Sequence, residues 1–181
     1  REKVLAAIKD LGYTPHPLAR RLSLGRTLTI GVVLPFLTLP SYVERLRGVQ
    51  QMLEDSEYDL SLHSRENPAK LDLLIDELSQ NKSVDGAIVF SLIPSDTQIQ
   101  QFKQARIPLI LVDACHPDVS RVYIDDEKGG YLAPSHLIEL GHRQIAFLSD
   151  YLDNPFKFTA MRKRYVGYRR ALKEAGLPFR P

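Results

Sequence analysis

Residues 28–35, LTIGVVLP, and residues 41–56, SYVERLRGVQQMLEDS, decide the fold of this chain. The first is a near-continuous β-branched and apolar run, the pattern of a parallel strand covered on both faces. The second puts Tyr42, Leu46, Val49, Met52 and Leu53 on one helical stripe, with Ser41 as the expected N-cap. A buried strand running into an amphipathic helix opens a β–α–β unit.

The same alternation continues downstream. Residues 58–63 (YDLSLH) alternate like a strand, and Asn67 and Pro68 set the N-cap and first turn of a helix that turns Leu71, Leu74, Ile75 and Leu78 inward. Residues 85–91 (DGAIVFS), 107–113 (IPLILVD) and 121–125 (RVYID) read as further strands, with a helix over 95–105. A helix over 126–140 leads through Gly141 into an expected strand at 144–150, QIAFLSD. Strands alternating with helices of this length specify the α/β class with a doubly wound parallel sheet, whose ligands sit at the carboxyl ends of the strands. Residues 151–160 read as a crossover, and 161–176 (MRKRYVGYRRALKEAG) as a helix with Tyr165, Tyr168 and Leu172 in a stripe. With no strand after it, that helix is expected to have little to pack on, which points to a second lobe.

Upstream of the first strand the character changes. Residues 1–11 (REKVLAAIKDL) space Val4, Leu5, Ile8 and Leu11 as a helix, and Gly12 stops it. Two prolines break residues 13–17, and residues 18–22 suffice for one or two helical turns, too few to be stable alone. Residues 1–27 carry six basic and two acidic side chains, a net +4, while the rest of the chain has 18 basic and 20 acidic, a net −2. A basic arm on a mildly acidic body is an electrostatic footprint for phosphate.

Other classes are disfavoured. The 181-residue chain is 44% apolar, enough for a real core, and its one cysteine, Cys115, excludes an internal disulfide framework and suits a reducing cytosol. No apolar run approaches the ~20 residues of a membrane span, and no signal-peptide pattern opens the chain, so a cytoplasmic protein is expected. The first strand runs into no glycine-rich dinucleotide turn or phosphate loop, and there is no nucleophile elbow or acid/base pair. No cofactor is therefore expected, and no enzymatic activity. Asp125, Asp126 and Glu127 form an acidic triplet that reads as helix capping and dipole compensation rather than a metal site.

The order of REKVLAAIKDLGYTPHPLARRL, GRTLTIGVVLP, VDGAIVF, IPLILVD and HLIELGHRQIAFL resembles the lactose/galactose repressor (LacI/GalR) family of bacterial transcription regulators. The resemblance implies a helix-turn-helix headpiece, a hinge helix, and a two-lobed core like a periplasmic sugar-binding protein. By it, residues 1–12 are the last headpiece helix, 13–27 the hinge, 28–150 the amino-terminal lobe, and 151–181 the crossover and first helix of the carboxyl-terminal lobe. The recognition helix is then expected upstream of Arg1, and most of the second lobe beyond Pro181.

The family's hinge helix falls on Leu18, Ala19 and Leu22, with Leu22 matching the leucine that wedges into the central base step of the minor groove. An apolar wedge unstacks a step and kinks the duplex, while Arg20 and Arg21 bind phosphate. His16 and Pro17 depart from the family's more usual Asn and non-Pro residue, which shifts the expected start of the hinge helix. Family effector contacts fall on Ser41, Tyr42, Ser91, Asp113 and Asp125, and on Arg164, three residues before Gly167. An arginine fork there suits sugar hydroxyls or a carboxylate. Leu39–Pro40–Ser41–Tyr42 departs from the family's Asn-Pro followed by two aromatics, leaving one expected stacking ring fewer. The implied partners are a palindromic operator DNA, a small-molecule effector (a sugar, sugar derivative or nucleobase) and a second copy of the chain, with helix 41–55 as a candidate dimer face. The rival reading is a periplasmic-type sugar- or solute-binding protein. It shares the core fold but predicts no basic helical leader.

Overall fold

The computed structural model describes residues 25–179. The headpiece helix and hinge, with Leu18, Ala19, Arg20, Arg21 and Leu22, lie outside the described residues. Ten elements follow in order: β1 (Thr29–Leu34), α1 (Pro40–Leu53), β2 (Asp59–Ser64), α2 (Pro68–Gln80), β3 (Gly86–Phe90), α3 (Asp96–Ala105), β4 (Leu109–Val112), β5 (Ser120–Val122), α4 (Asp126–Glu139) and α5 (Ala160–Glu174).

The strands form one parallel sheet in the order β2-β1-β3-β4-β5. From β1 the chain steps outward to β2, then crosses back over β1 to β3 and continues in the opposite direction. Right-handed crossovers with that reversal place helices on both faces. Strand alternation sorts the core accordingly. Val33, Val89 and Leu111 meet α2 and α3 through Leu71, Ile75, Leu78, Ile99 and Phe102. Val32, Leu34 and Phe90 meet α1 through Tyr42, with Leu46 and Val49 packed alongside.

Local chemistry explains most helix starts. Asn67 caps α2 by accepting from the Lys70 N–H, with Pro68 at the first position. Ser95 and Gln98 form a reciprocal capping box on α3. α1 differs from expectation, because Ser41 is not its N-cap. The helix begins at Pro40, whose fixed φ suits the first position, and Leu39 precedes it with no side-chain cap. Met52, expected in the buried stripe, is 81% exposed, because the inward face ends at Val49 and Leu53.

Two further expectations are corrected. Residues 144–150 form no strand. They keep a strand's alternation, but their inward side chains face α5 and not the sheet: Phe147 lies against Tyr165 and Tyr168 at 5.5 and 5.2 Å, and the Tyr168 hydroxyl donates to the Ile145 carbonyl. No described strand lies beside them to complete a ladder, and Leu148 on the other side is 98% exposed. Helix α5, expected to lack a neighbour, packs on α4 at a crossing so close that only glycine fits on either side. A Cβ at Gly130 would collide with the Arg164 backbone, and one at Gly167 with the backbone of Glu127 and Tyr131. Polar contacts flank the crossing, from Arg164 to Asp126, Arg170 to Glu127 and Tyr131 to Glu174.

The opposite end of the sheet holds the first described residues. The Asp85 carboxylate accepts from the Thr27 N–H, the Thr27 hydroxyl and the Leu28 N–H. Partial burial pushes the Asp85 pKa up, but those three hydrogen bonds and the Arg26 guanidinium outweigh it and hold the carboxyl below its usual range. A carboxylate depressed on folding contributes stability that is present above its unfolded pKa and lost as pH falls through the folded value. Urea unfolding should therefore show a stability gap between wild type and Asp85→Asn that is constant from about pH 7 to 5 and closes below about pH 4. An equal gap at all these values would contradict the clasp.

Candidate functional site

The sheet's reversal lies between β1 and β3, and the first residues after the strands converge at their carboxyl ends. Ser91 follows β3 and Asp113 follows β4, and both adopt left-handed backbone conformations at φ 59°. The Ser91 N–H donates to the Val112 carbonyl at 2.8 Å and the Asp113 N–H to the Val122 carbonyl at 2.7 Å, so neighbouring strands hold both strained residues in place. The turn brings their side chains together, the Ser91 hydroxyl donating to Asp113 Oδ2 at 3.1 Å.

Two residues from the first turns of α1 complete the cluster. Arg45 Nη2 donates to the same Asp113 oxygen at 3.0 Å, and its guanidinium lies over the Tyr42 ring at 5.3 Å. Tyr42 is buried beside this pair. Its pKa is raised, first by burial and to a lesser degree by the Asp113 charge, against the lowering effects of Ser91 and Arg45. The phenol therefore stays protonated and able to donate at neutral pH. Behind it, Phe90 stacks on the Tyr42 ring with centroids 6.4 Å apart.

Beside this polar set stands a group of rings. Phe36, just beyond β1, meets Tyr42 edge-on at 6.2 Å and Phe156 at 5.1 Å, and Phe156 stacks on Phe158 at 5.3 Å. The whole offers a carboxylate acceptor, a guanidinium donor, two hydroxyls and aromatic faces. That combination suits a small molecule bearing hydroxyls on an apolar frame.

Of the residues singled out from sequence, Tyr42, Ser91 and Asp113 are brought together here. Ser41 is exposed in the first turn of α1. Asp125 caps α4, accepting from the Lys128 N–H at 2.9 Å. Arg164 donates through Nε to the buried carboxylate of Asp126 at 2.7 Å, leaving its two terminal nitrogens without a protein acceptor among the described residues. Neither Asp125 nor Arg164 contacts the Tyr42–Ser91–Asp113 cluster. Sequence reading missed Arg45, Phe36, Phe156 and Phe158. Arg45 was the findable one, since it stands three residues after Tyr42 and so on the same face of the helix. No group of three or more potential metal ligands occurs among the described residues, and none of their helices is long and apolar enough to cross a membrane.

Residues 27–181 match the family model described as periplasmic binding proteins and the sugar-binding domain of the LacI family. Among curated proteins, the chain is 32% identical to catabolite control protein A of Priestia megaterium, over 99% of this chain and 54% of that protein. Among solved structures, it resembles a transcriptional regulator CelR–cellobiose complex at 30% identity and TM-score 0.68, covering 99% of this chain and 54% of that one. The lac repressor dimer bound to operator and an anti-inducer shares the fold, with a TM-score of 0.76 at 23% identity over 98% of this chain and 53% of that one. The chain thus spans about half the length of the relatives it matches.

Proposed function

From the premise that this chain belongs to the LacI family of transcription regulators, we propose that it acts within an effector-controlled, cytoplasmic DNA-binding protein, a repressor of genes preceded by a palindromic operator. The observation that supports this most is the convergence of Tyr42, Arg45, Ser91 and Asp113 at the sheet's reversal, on a chain that begins with a basic arm. The cluster binds the effector, and its mix of hydroxyls, ions and rings favours a sugar or sugar derivative over an apolar ligand. A relative carrying cellobiose supports that class.

The cleft is completed by a second lobe. Gly130 and Gly167 lock α4 and α5 together, and α4 packs on α5 in place of the sheet. On this reading the first lobe gives way near Asp125, ahead of the expected boundary at residue 150, because α4 packs on α5. Arg164, held by Asp126, faces the effector from that side, with Asp125 beside it. Effector binding shifts the population between two lobe arrangements, and two copies of the chain hold their hinge segments side by side only in one of them.

In that arrangement Leu22 wedges the central base step, and Arg20 and Arg21 contact phosphate. Leu22→Ala in the full-length protein should weaken binding to a duplex selected from a random-sequence pool by roughly tenfold or more, with sugar binding unchanged. Equal affinity of wild type and variant, measured by fluorescence anisotropy, would remove the wedge.

A further inference from the structure

A second feature, remote from the cleft, concerns how the basic arm is joined to the sheet. Residues 26–28 are gripped from two sides by the loops that precede β2 and β3. On one side Asp85 uses both carboxylate oxygens: Oδ1 accepts from the Thr27 N–H at 2.7 Å and the Thr27 hydroxyl at 2.9 Å, and Oδ2 from the Leu28 N–H at 3.0 Å. On the other side the Arg26 guanidinium lies over the Tyr58 ring at 5.8 Å and donates to its hydroxyl, while Arg26 Nε stands 3.7 Å from Asp85 Oδ2. The backbone is tied on both flanks as well, by Asp59 N–H to the Leu28 carbonyl and Asp85 N–H to the Thr29 carbonyl, each at 2.8 Å. Leu28 is held at φ 49°, a conformation a leucine avoids unless its surroundings impose it.

A sheet needs no such device merely to start a strand. Three donors and a nearby guanidinium converge on one carboxylate, and Leu28, which they hold, takes a strained backbone immediately before β1. The effect is to fix the backbone of residues 26–28 where the chain enters β1. We propose that Asp85, with Arg26 and Tyr58, forms a collar that aims the DNA-binding segment, so that Asp85 is a positioning residue for DNA binding although it lies in the core domain. The inference rests on the regulator reading above. An asparagine would present one acceptor oxygen and turn an amide donor toward other donors, opening the collar without removing bulk.

The test compares the full-length wild type with Asp85→Asn, Thr27→Val and Ile99→Val, the last being a core substitution that lowers stability away from the collar. Each is titrated, well below its melting temperature, with a duplex that the wild type selects from a random-sequence pool. Hydrogen exchange of the Thr27 and Leu28 amides is followed in parallel. The expected result is faster exchange of both amides and roughly tenfold weaker DNA binding in Asp85→Asn, with a smaller loss in Thr27→Val and none in Ile99→Val. DNA affinity of Asp85→Asn equal to that of Ile99→Val would overturn the collar while leaving the regulator reading in place. A wild type that selects no duplex from the pool would overturn the regulator reading, and the collar's role with it.

Discussion

Gly167→Ala is expected to destabilise the α4–α5 pair by about 3 kcal/mol, the upper end for forcing extra volume into a packed site. The added methyl would be driven into the Glu127 carbonyl oxygen and to within 2.6 Å of the Tyr131 nitrogen, and helix backbone cannot swing aside as a flexible side chain can. Relief requires the helices to move apart. Separation would stretch the Arg164–Asp126, Arg170–Glu127 and Tyr131–Glu174 contacts that flank the crossing. Asp126 is 6% exposed, so loss of Arg164 would leave a buried carboxylate without its cation. Gly129→Ala is the matched control. It lies beside Gly130 in α4 but has open space around its Cβ position, so it should be neutral or stabilise by up to about 1 kcal/mol through helix propensity. Urea unfolding of the two variants separates the effects, and a Gly167→Ala protein as stable as Gly129→Ala would contradict the crossing.

The second large effect is expected at Phe90. Its ring is fully buried at the end of β3 and stacks on Tyr42. Phe90→Ala should cost about 4 kcal/mol, combining lost transfer free energy with the cavity left behind. The loss reaches the site because Tyr42 would lose the ring it stacks on, and Ser91 follows Phe90 directly in the chain. Phe90→Leu fills most of the space and should cost less than half as much. Chemical denaturation measures the stability, and a screen of mono- and disaccharides by thermal shift measures the site. Phe90→Ala retaining both full stability and the wild type's sugar response would show that the ring supports neither.

The fold was legible because its hydrophobic pattern changes period at each boundary. β1, β3 and β4 are nearly continuous apolar runs, and α2 carries its cap, proline and stripe in the expected positions. The errors share a cause, in that periodicity reports which side of a segment is covered but not by what. Residues 144–150 alternate because one side lies on α5, and the same alternation would arise in a sheet. Met52 has the right spacing for the stripe, but the covered face of α1 passes through Val49 and Leu53 and leaves Met52 outside it.

The candidate site divides the same way. Ser91 and Asp113 were named through the family resemblance, which places effector contacts at the ends of these strands. Their interaction depends on left-handed turns that no residue preference announces, since neither is glycine. Phe156 and Phe158 sit more than a hundred residues from Phe36, so only the folded chain reveals that their rings meet. The clasp at Asp85 was hidden for the same reason, because nothing about an aspartate before a strand indicates that Thr27 will donate to it twice.

The most direct measurement is the affinity of the full-length protein for duplexes selected from a random-sequence pool, with and without each sugar of a mono- and disaccharide panel, at several salt concentrations. The predicted result is saturable binding that weakens steeply between about 50 and 200 mM salt as phosphate contacts are screened. At fixed salt, one sugar class should shift it further. Sugar binding by a folded protein with no saturable DNA binding at any salt concentration would contradict the account and favour a solute-binding role.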